Sequence, residues 1–235
     1  MKFALRLIRH DLNSTFRDPL FKGLLFFPFI CFALVRWVFP WLIAKYPVIE
    51  PYQDVLVMWA CLQAATMFCF IYGFLFLEEK EENLLPVLRT LPVSTGTLVT
   101  IRQTVAISIA TLINFFILEW GGILESHPID HFLIALQMSL IAPVITLYLA
   151  VFAHTRMEGL AQIKIINILL IAPGLIYFLS QKGLHALAVV PSYWSFRAIE
   201  VSETDRLNYF LWIGFVVYLL VLIILNKRFK NKVFA

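Results

Sequence analysis

Residues 55–77 read Val-Leu-Val-Met-Trp-Ala-Cys-Leu-Gln-Ala-Ala-Thr-Met-Phe-Cys-Phe-Ile-Tyr-Gly-Phe-Leu-Phe-Leu, a run without a single charge. About 20 mostly apolar residues carry an α-helix across a hydrocarbon core. A backbone in lipid must satisfy its own hydrogen bonds, and the run is too continuous for the alternating strands of a barrel. It therefore reads as a transmembrane helix. On either side, residues 24–43, 98–120, 132–153, 160–179 and 207–225 have the same character. The run at 160–179 is the least clean, interrupted by Lys164, Asn167 and the Pro173-Gly174 pair. Of the 235 residues 61% are apolar and only 14% charged, with a mean hydropathy of +0.84. Soluble domains average roughly 45–50% apolar and about 25% charged, so one water-exposed core cannot hide this much apolar surface. A disordered chain, a disulfide-stapled secreted module and a soluble enzyme are excluded.

Six crossings place both termini on one side, and the basic residues say which. Fourteen of the 19 Lys and Arg fall on the terminus-bearing side. Lys45, Lys182, Arg197 and Arg206 fall opposite, and Arg36 lies inside the first span. The positive-inside bias puts both ends in the cytoplasm. The expected fold is an all-α integral membrane protein of six helices, forming a single transmembrane domain over residues 1–235. Cys31, Cys61 and Cys69 lie within apolar runs and read as small buried hydrophobes. The basic start of the chain, with no small-residue cleavage site after the first run, does not read as a cleavable signal.

The segments between spans carry the remaining information. Within residues 1–23, Leu5, Ile8, Leu12 and Phe16 recur at helical spacing while Arg6, Arg9 and Arg17 lie off that stripe. This describes an amphipathic helix in the cytoplasmic interface, ended by Asp18-Pro19. The loops at 44–54 and 121–130 are too short to fold alone. Residues 180–206 hold an apolar piece too short to cross, then Pro191-Ser192-Tyr193-Trp194-Ser195-Phe196. They read as a re-entrant or interfacial segment capping the outer mouth, with a simple amphipathic loop as the alternative.

The cytoplasmic segment 78–97 is the most informative. It runs Glu78-Glu79-Lys80-Glu81-Glu82, then Asn83-Leu84-Leu85-Pro86-Val87-Leu88-Arg89-Thr90-Leu91-Pro92-Val93-Ser94. Acidic residues at a cytoplasmic membrane edge disfavour docking on the anionic leaflet. Leu84, Leu85 and Leu88 form an apolar patch suited to a groove on another protein, or to the chain's own bundle. This stretch resembles the coupling segment of ABC-2 type permeases, the membrane halves of ATP-driven exporters. Those show a Glu-rich run, a Gly-Thr-Leu-like step and Leu-Leu-x-Thr-Pro-Val-Ser; here Asn83 stands where Gly is usual and Leu91 precedes the proline. The six-span layout, the helix ending Phe16-Arg17-Asp18-Pro19 and the broken segment before the last span extend the resemblance over the whole chain.

The resemblance implies a pair of permeases resting on two cytoplasmic ATPase subunits in a bacterial inner membrane. Glu78, Glu79, Glu81, Glu82, Leu84, Leu85, Leu88, Arg89 and Pro92 would then form the ATPase contact, helped by the N-terminal helix with Arg6, Arg9, Phe16 and Arg17. The chain contains no GxxxxGK[ST] loop, so ATP and Mg would be bound by the partner and no cofactor by this chain. The cargo would be amphiphilic: drug-like, peptide or lipid-linked.

Polar groups inside spans are candidates for a pathway or dimer seam because their burial is costly. Arg36, Asn114 and Asn167 are the principal ones, with Gln63 and Gln137 reading as helix glue. Arg36 either snorkels outward or faces the seam. Glu119, Glu125, His127, Asp130 and His131 cluster near the second outer loop. They suggest a membrane-embedded enzyme as the rival reading, although Pro128 spoils a helical metal-ligand face, and a solvated loop is the simpler expectation. A peptide-immunity or assembly subunit would share the same fold. A secondary transporter fits worse, because no carboxylate sits at mid-membrane.

Overall fold

The computed structural model describes residues 11, 16, 19–82, 84, 95–178, 186–202, 204–205 and 207–233. Among them the chain is helical, without a strand, and six helical stretches are long and apolar enough to cross a membrane. The first combines α1 (Pro19–Ala33), a π-turn (Leu34–Val38) and α2 (Phe39–Lys45). Pro19 opens α1 as a helix-starting proline. The π-turn has a local cause: Pro40 has no N–H to give Arg36 and its ring crowds that carbonyl, so the helix widens and Phe39 N–H bonds back to Leu34 O.

The second span, α3 (Gln53–Glu81), is continuous and outruns its apolar core, so the acidic residues to Glu81 are helical rather than loop. The third is α4 (Thr95–Gly121). The fourth divides into α5 (Pro128–Ser139) and α6 (Ile141–Phe152) around Leu140, because Pro143 removes the next helical bond. The fifth is α7 (Arg156–Ile171), which tightens into a 3-10 turn (Ala172–Tyr177) at Pro173-Gly174. After it come a short helix, α8 (Pro191–Ser202), and the last span, α9 (Tyr209–Val233).

The spans are not equivalent. The apolar windows of the second and fourth are 78% and 72% buried, against 22% for the first and 28% for the sixth, so two central helices are ringed by four outer ones. Small residues make α3 central. Ala60, Ala64, Ala65 and Cys69 are fully buried, and a Cβ on Gly73 would lie 2.8 Å from Leu149 of α6. Without a hydrophobic drive between helices in lipid, such close approach is how they gain contact. On α9 the exposed residues Tyr209, Trp212, Val216, Leu219, Leu220 and Ile223 recur every three or four positions, a stripe turned toward lipid or another chain.

Residues 191–202 are too short to cross and pack instead on α3, α5, α7 and α9. Ser192 Oγ donates to Leu170 O, and Tyr177 Oη to Phe196 O, at the end of the fifth span. The preceding limb, 180–185, falls outside the described residues.

Candidate functional site

At the end of the bundle that carries Asp11 and the last turn of α9, an ionic junction is assembled from four segments. Glu79 is carried by the last turns of α3, and Arg102 lies two turns into α4, the helix that packs antiparallel to it. Arg102 grips two carboxylates. Its Nε and Nη2 reach Asp11 at 2.8 and 3.0 Å, while Nη1 and Nη2 reach Glu79 at 2.9 and 2.6 Å. Both forks are bidentate, the geometry a planar guanidinium favours. Arg102 is only 3% exposed, and its charge lies 4.9 Å from the Phe76 ring, which also meets Phe229 of α9 edge-on. One buried cation thus ties the N-terminal region to the second and third spans.

The rest of the acidic run is engaged beside it. Arg156, opening α7, pairs with Glu78 at 2.5 Å and lies 3.6 Å from Glu81, and its backbone N–H donates to Glu81 Oε1. A carboxylate at a helix N-terminus satisfies an orphan donor and complements the dipole. Lys80 Nζ donates to Ala153 O at 2.7 Å and Ala150 O at 3.4 Å, capping the C-terminus of α6. Glu82 and Leu84 are exposed where the described helix ends. Glu78, Glu79 and Glu81 therefore brace the stem of the segment against its own bundle.

Of the other residues singled out from sequence, Leu85, Leu88, Arg89, Pro92, Arg6, Arg9 and Arg17 lie outside the described residues, and Phe16 is exposed. Arg36 is exposed and its guanidinium lies against Gly122 in the loop after α4, so it reaches for that end of the bundle. Asn114 is fully buried, with Nδ2 3.4 Å from Ser139 Oγ, and Asn167 is half-buried on α7. Arg36 and Asn114 make separate contacts, at the loop after α4 and with α5. Gln137 is the firmer glue, donating to Leu211 O at 2.7 Å.

Sequence reasoning missed Asp11 and Arg102. The available signal was a cation two turns inside a helix and a lone acid in a basic stretch. It also took the second outer loop as solvated, which holds for Glu125 and His127 but not for Asp130 and His131. His127 accepts from Ile129 N–H and starts α5 there, turning Asp130 and His131 inward, where they are 2% and 3% exposed. Among the described residues no group of three or more His, Cys, Asp or Glu is placed to hold a metal ion.

The family model described as "Fluoroquinolones export permease protein Rv2686c-like" matches residues 11–226, both ends of this junction included. The chain belongs to that family. Two curated relatives of the Rv2686c-like family, the fluoroquinolones export permease proteins MT2760 and Rv2686c from two strains of Mycobacterium tuberculosis, are each 26% identical to it over 233 residues. Each alignment covers 95% of this chain and 92% of the relative. No solved structure matches. An Rv2686c-like permease is a transport subunit rather than a catalyst, and the resemblance to ABC-2 type permeases is borne out.

Proposed function

We propose that this chain is the membrane subunit of an ATP-driven exporter, moving amphiphilic drug-like molecules of the fluoroquinolone kind with ATP hydrolysed by a separate subunit. The match to the export-permease family over residues 11–226 carries the reading. Two permeases, as a homodimer or with a homologue, rest on two cytoplasmic ATPases in a bacterial inner membrane, both termini on the ATPase side. The tip of the segment, from Glu82 through Leu84, Leu85, Leu88, Arg89 and Pro92, makes the contact together with the N-terminal helix. The braced stem supports this division of labour: a push at the tip reaches α3 through the helix itself, α4 and the N-terminal region through Arg102, and α7 through Arg156. Arg36, Asn114 and Asn167 remain candidates for the pathway or the seam.

The test is gentle extraction with a C-terminal tag, followed by assay of the eluate for a co-purifying subunit with vanadate-sensitive ATP hydrolysis, and of reconstituted vesicles for ATP-dependent fluoroquinolone movement. A stoichiometric ATPase and ATP-dependent transport are expected. A monodisperse permease that reproducibly brings no ATPase refutes the reading.

A further inference from the structure

The end of the bundle away from the ionic junction carries a cation that the fold leaves open. Arg36 lies in the π-turn of the first span, and Gly121 and Gly122 at the end of α4 seat that turn. A Cβ on Gly121 would come 2.6 Å from Val35 Cγ1, and one on Gly122 would come 2.6 Å from Arg36 Nη1. Gly122 also holds φ 75°, a backbone that a side chain resists. The π-turn and the end of α4 thus meet with no side chain of α4 between them. Arg36 nevertheless stays exposed, and among the described residues no acid pairs with it. Glu119, at the same end of α4, is engaged by His131 at 2.8 Å.

Deeper along the same two helices lies a half-open groove of about 270 Å³, lined by Pro28, Phe29, Phe32, Ile113 and Phe116, with no polar atom exposed in it. Phe29, Phe32 and Arg36 stand at i, i+3 and i+7, so the cation lies one turn beyond the groove on the face of the span that lines it. Exposed indoles surround this mouth. Trp120 packs on Phe116 with ring centroids 4.2 Å apart, Trp37 meets Phe32 edge-on, and Trp41 follows one turn later. Tryptophan collects where hydrocarbon gives way to headgroups. Arg36 therefore sits at headgroup level, and the groove lies in the acyl region beneath it.

We infer that this is a binding site for an anionic phospholipid, its phosphate on Arg36 and one acyl chain in the groove between α1 and α4. Three features select that occupant. A planar guanidinium forks onto phosphate oxygens, and an unpaired one favours a headgroup of net negative charge. The groove offers no donor or acceptor to orient the polar groups of a drug-like molecule, which binding pockets for such ligands supply. A second copy of the chain would need small residues for its helices to approach closely in lipid. Here the rim is built of Phe26, Phe29, Trp37, Leu112 and Phe116, all large and exposed, which hold a helix off but let a flexible chain lie between them. Of the roles open to Arg36 this is an outward one, and it rests on the fold rather than on the cargo or the ATPase. The lipid ties the first span, the least buried of the six, to the third.

Native mass spectrometry tests the site on the full chain, delipidated in mild detergent and titrated with phosphatidylglycerol or with phosphatidylcholine of the same acyl chains. The first phosphatidylglycerol should bind on the order of tenfold more tightly than the first phosphatidylcholine, the weight of one charge-assisted contact. Arg36→Gln should abolish that preference at unchanged phosphatidylcholine affinity, and Ile113→Trp, which fills the groove, should weaken both lipids. Inorganic phosphate should not displace the bound lipid, because the head alone leaves the groove empty. Equal affinity for the two lipids in the parent, an undiminished preference in Arg36→Gln, or displacement by inorganic phosphate overturns the site. Disulfide cross-linking of two copies through Phe29→Cys also overturns it, since a second chain would then occupy this face. Arg36 is exposed and its replacement leaves the packing intact, so the parent and Arg36→Gln decide the matter should Ile113→Trp fail to fold.

Discussion

Replacing Arg102 by methionine keeps much of the side-chain volume over Phe76 but leaves Asp11 and Glu79 facing one another without a cation. The side chains of Asp11 and Glu79 are only 3% and 14% exposed, so water screens them little. Removing one partner of a buried pair costs about 3–5 kcal/mol, because the survivor keeps its desolvation penalty and loses its compensation. Four hydrogen bonds end on this one guanidinium, which places the loss at the upper end of that range. At roughly 2–4 °C per kcal/mol for a chain of this size, the midpoint of unfolding in mild detergent should drop by roughly 6–20 °C. The diagnostic comparison is the neutral triple variant Arg102→Met, Asp11→Asn, Glu79→Gln. If the deficit comes from stranded charge, the triple variant regains most of it and sits within about 1–2 kcal/mol of the parent, since neutral replacements of a buried ionic set are often nearly neutral in stability. Thermal unfolding followed by size-exclusion of the soluble fraction measures both. A single variant losing under about 1 kcal/mol, or a triple variant no more stable than the single one, would show that the junction is solvated and the reasoning wrong.

Three further outcomes follow from particular contacts. A Cβ on Gly214 would come within 2.0 Å of Gln137 Nε2 and 2.9 Å of Trp194 Cβ, so Gly214→Ala should break the Gln137 bond to Leu211 O and cost about 1–3 kcal/mol in the same unfolding assay. Gly23→Ala, where nothing lies within 4 Å, should cost nothing, and equal losses would contradict the packing of α9 on α5. Cys31, Cys61 and Cys69 are fully buried, so a membrane-impermeant maleimide should label none of them in the folded protein and all three after denaturation. Replacing Leu84 and Leu88 by Asp should cut substrate-stimulated ATP hydrolysis of the assembled transporter by tenfold or more at unchanged membrane abundance, whereas loss of the whole protein from membranes would mean these leucines serve the bundle instead.

The six crossings were legible because transfer of some twenty apolar residues into lipid is a property of the segment alone. The interruption at Pro173-Gly174 was read locally, because a missing N–H and a fixed φ act on their own turn whatever surrounds them, whereas the break at Pro143 and the helix starts at Pro19 and Pro128, which have the same local cause, went unread. The family could be reached from residues 78–94 and the layout of spans. Hydropathy, however, cannot rank the spans, since an apolar side chain is equally content against lipid or against another helix. That α3 and the α5–α6 span form the centre, while α1 and α9 turn their aromatic and aliphatic stripes outward, depends on where small residues allow helices to approach.

The polar sites divide along the same line. Composition and charge order established that ionisable groups collect at the two ends of the spans, because the hydrocarbon region excludes them. Which of them meet is a matter of tertiary structure: Asp11 finds Arg102 across 91 positions of sequence, Glu81 finds the start of α7 across 75, and Ser202 finds Ser126 across 76. A charge's need for a partner is written in the residue itself. The identity of that partner is decided only when packing brings distant helices within hydrogen-bond reach, since the interactions concerned act over a few ångströms and carry no mark in the local pattern.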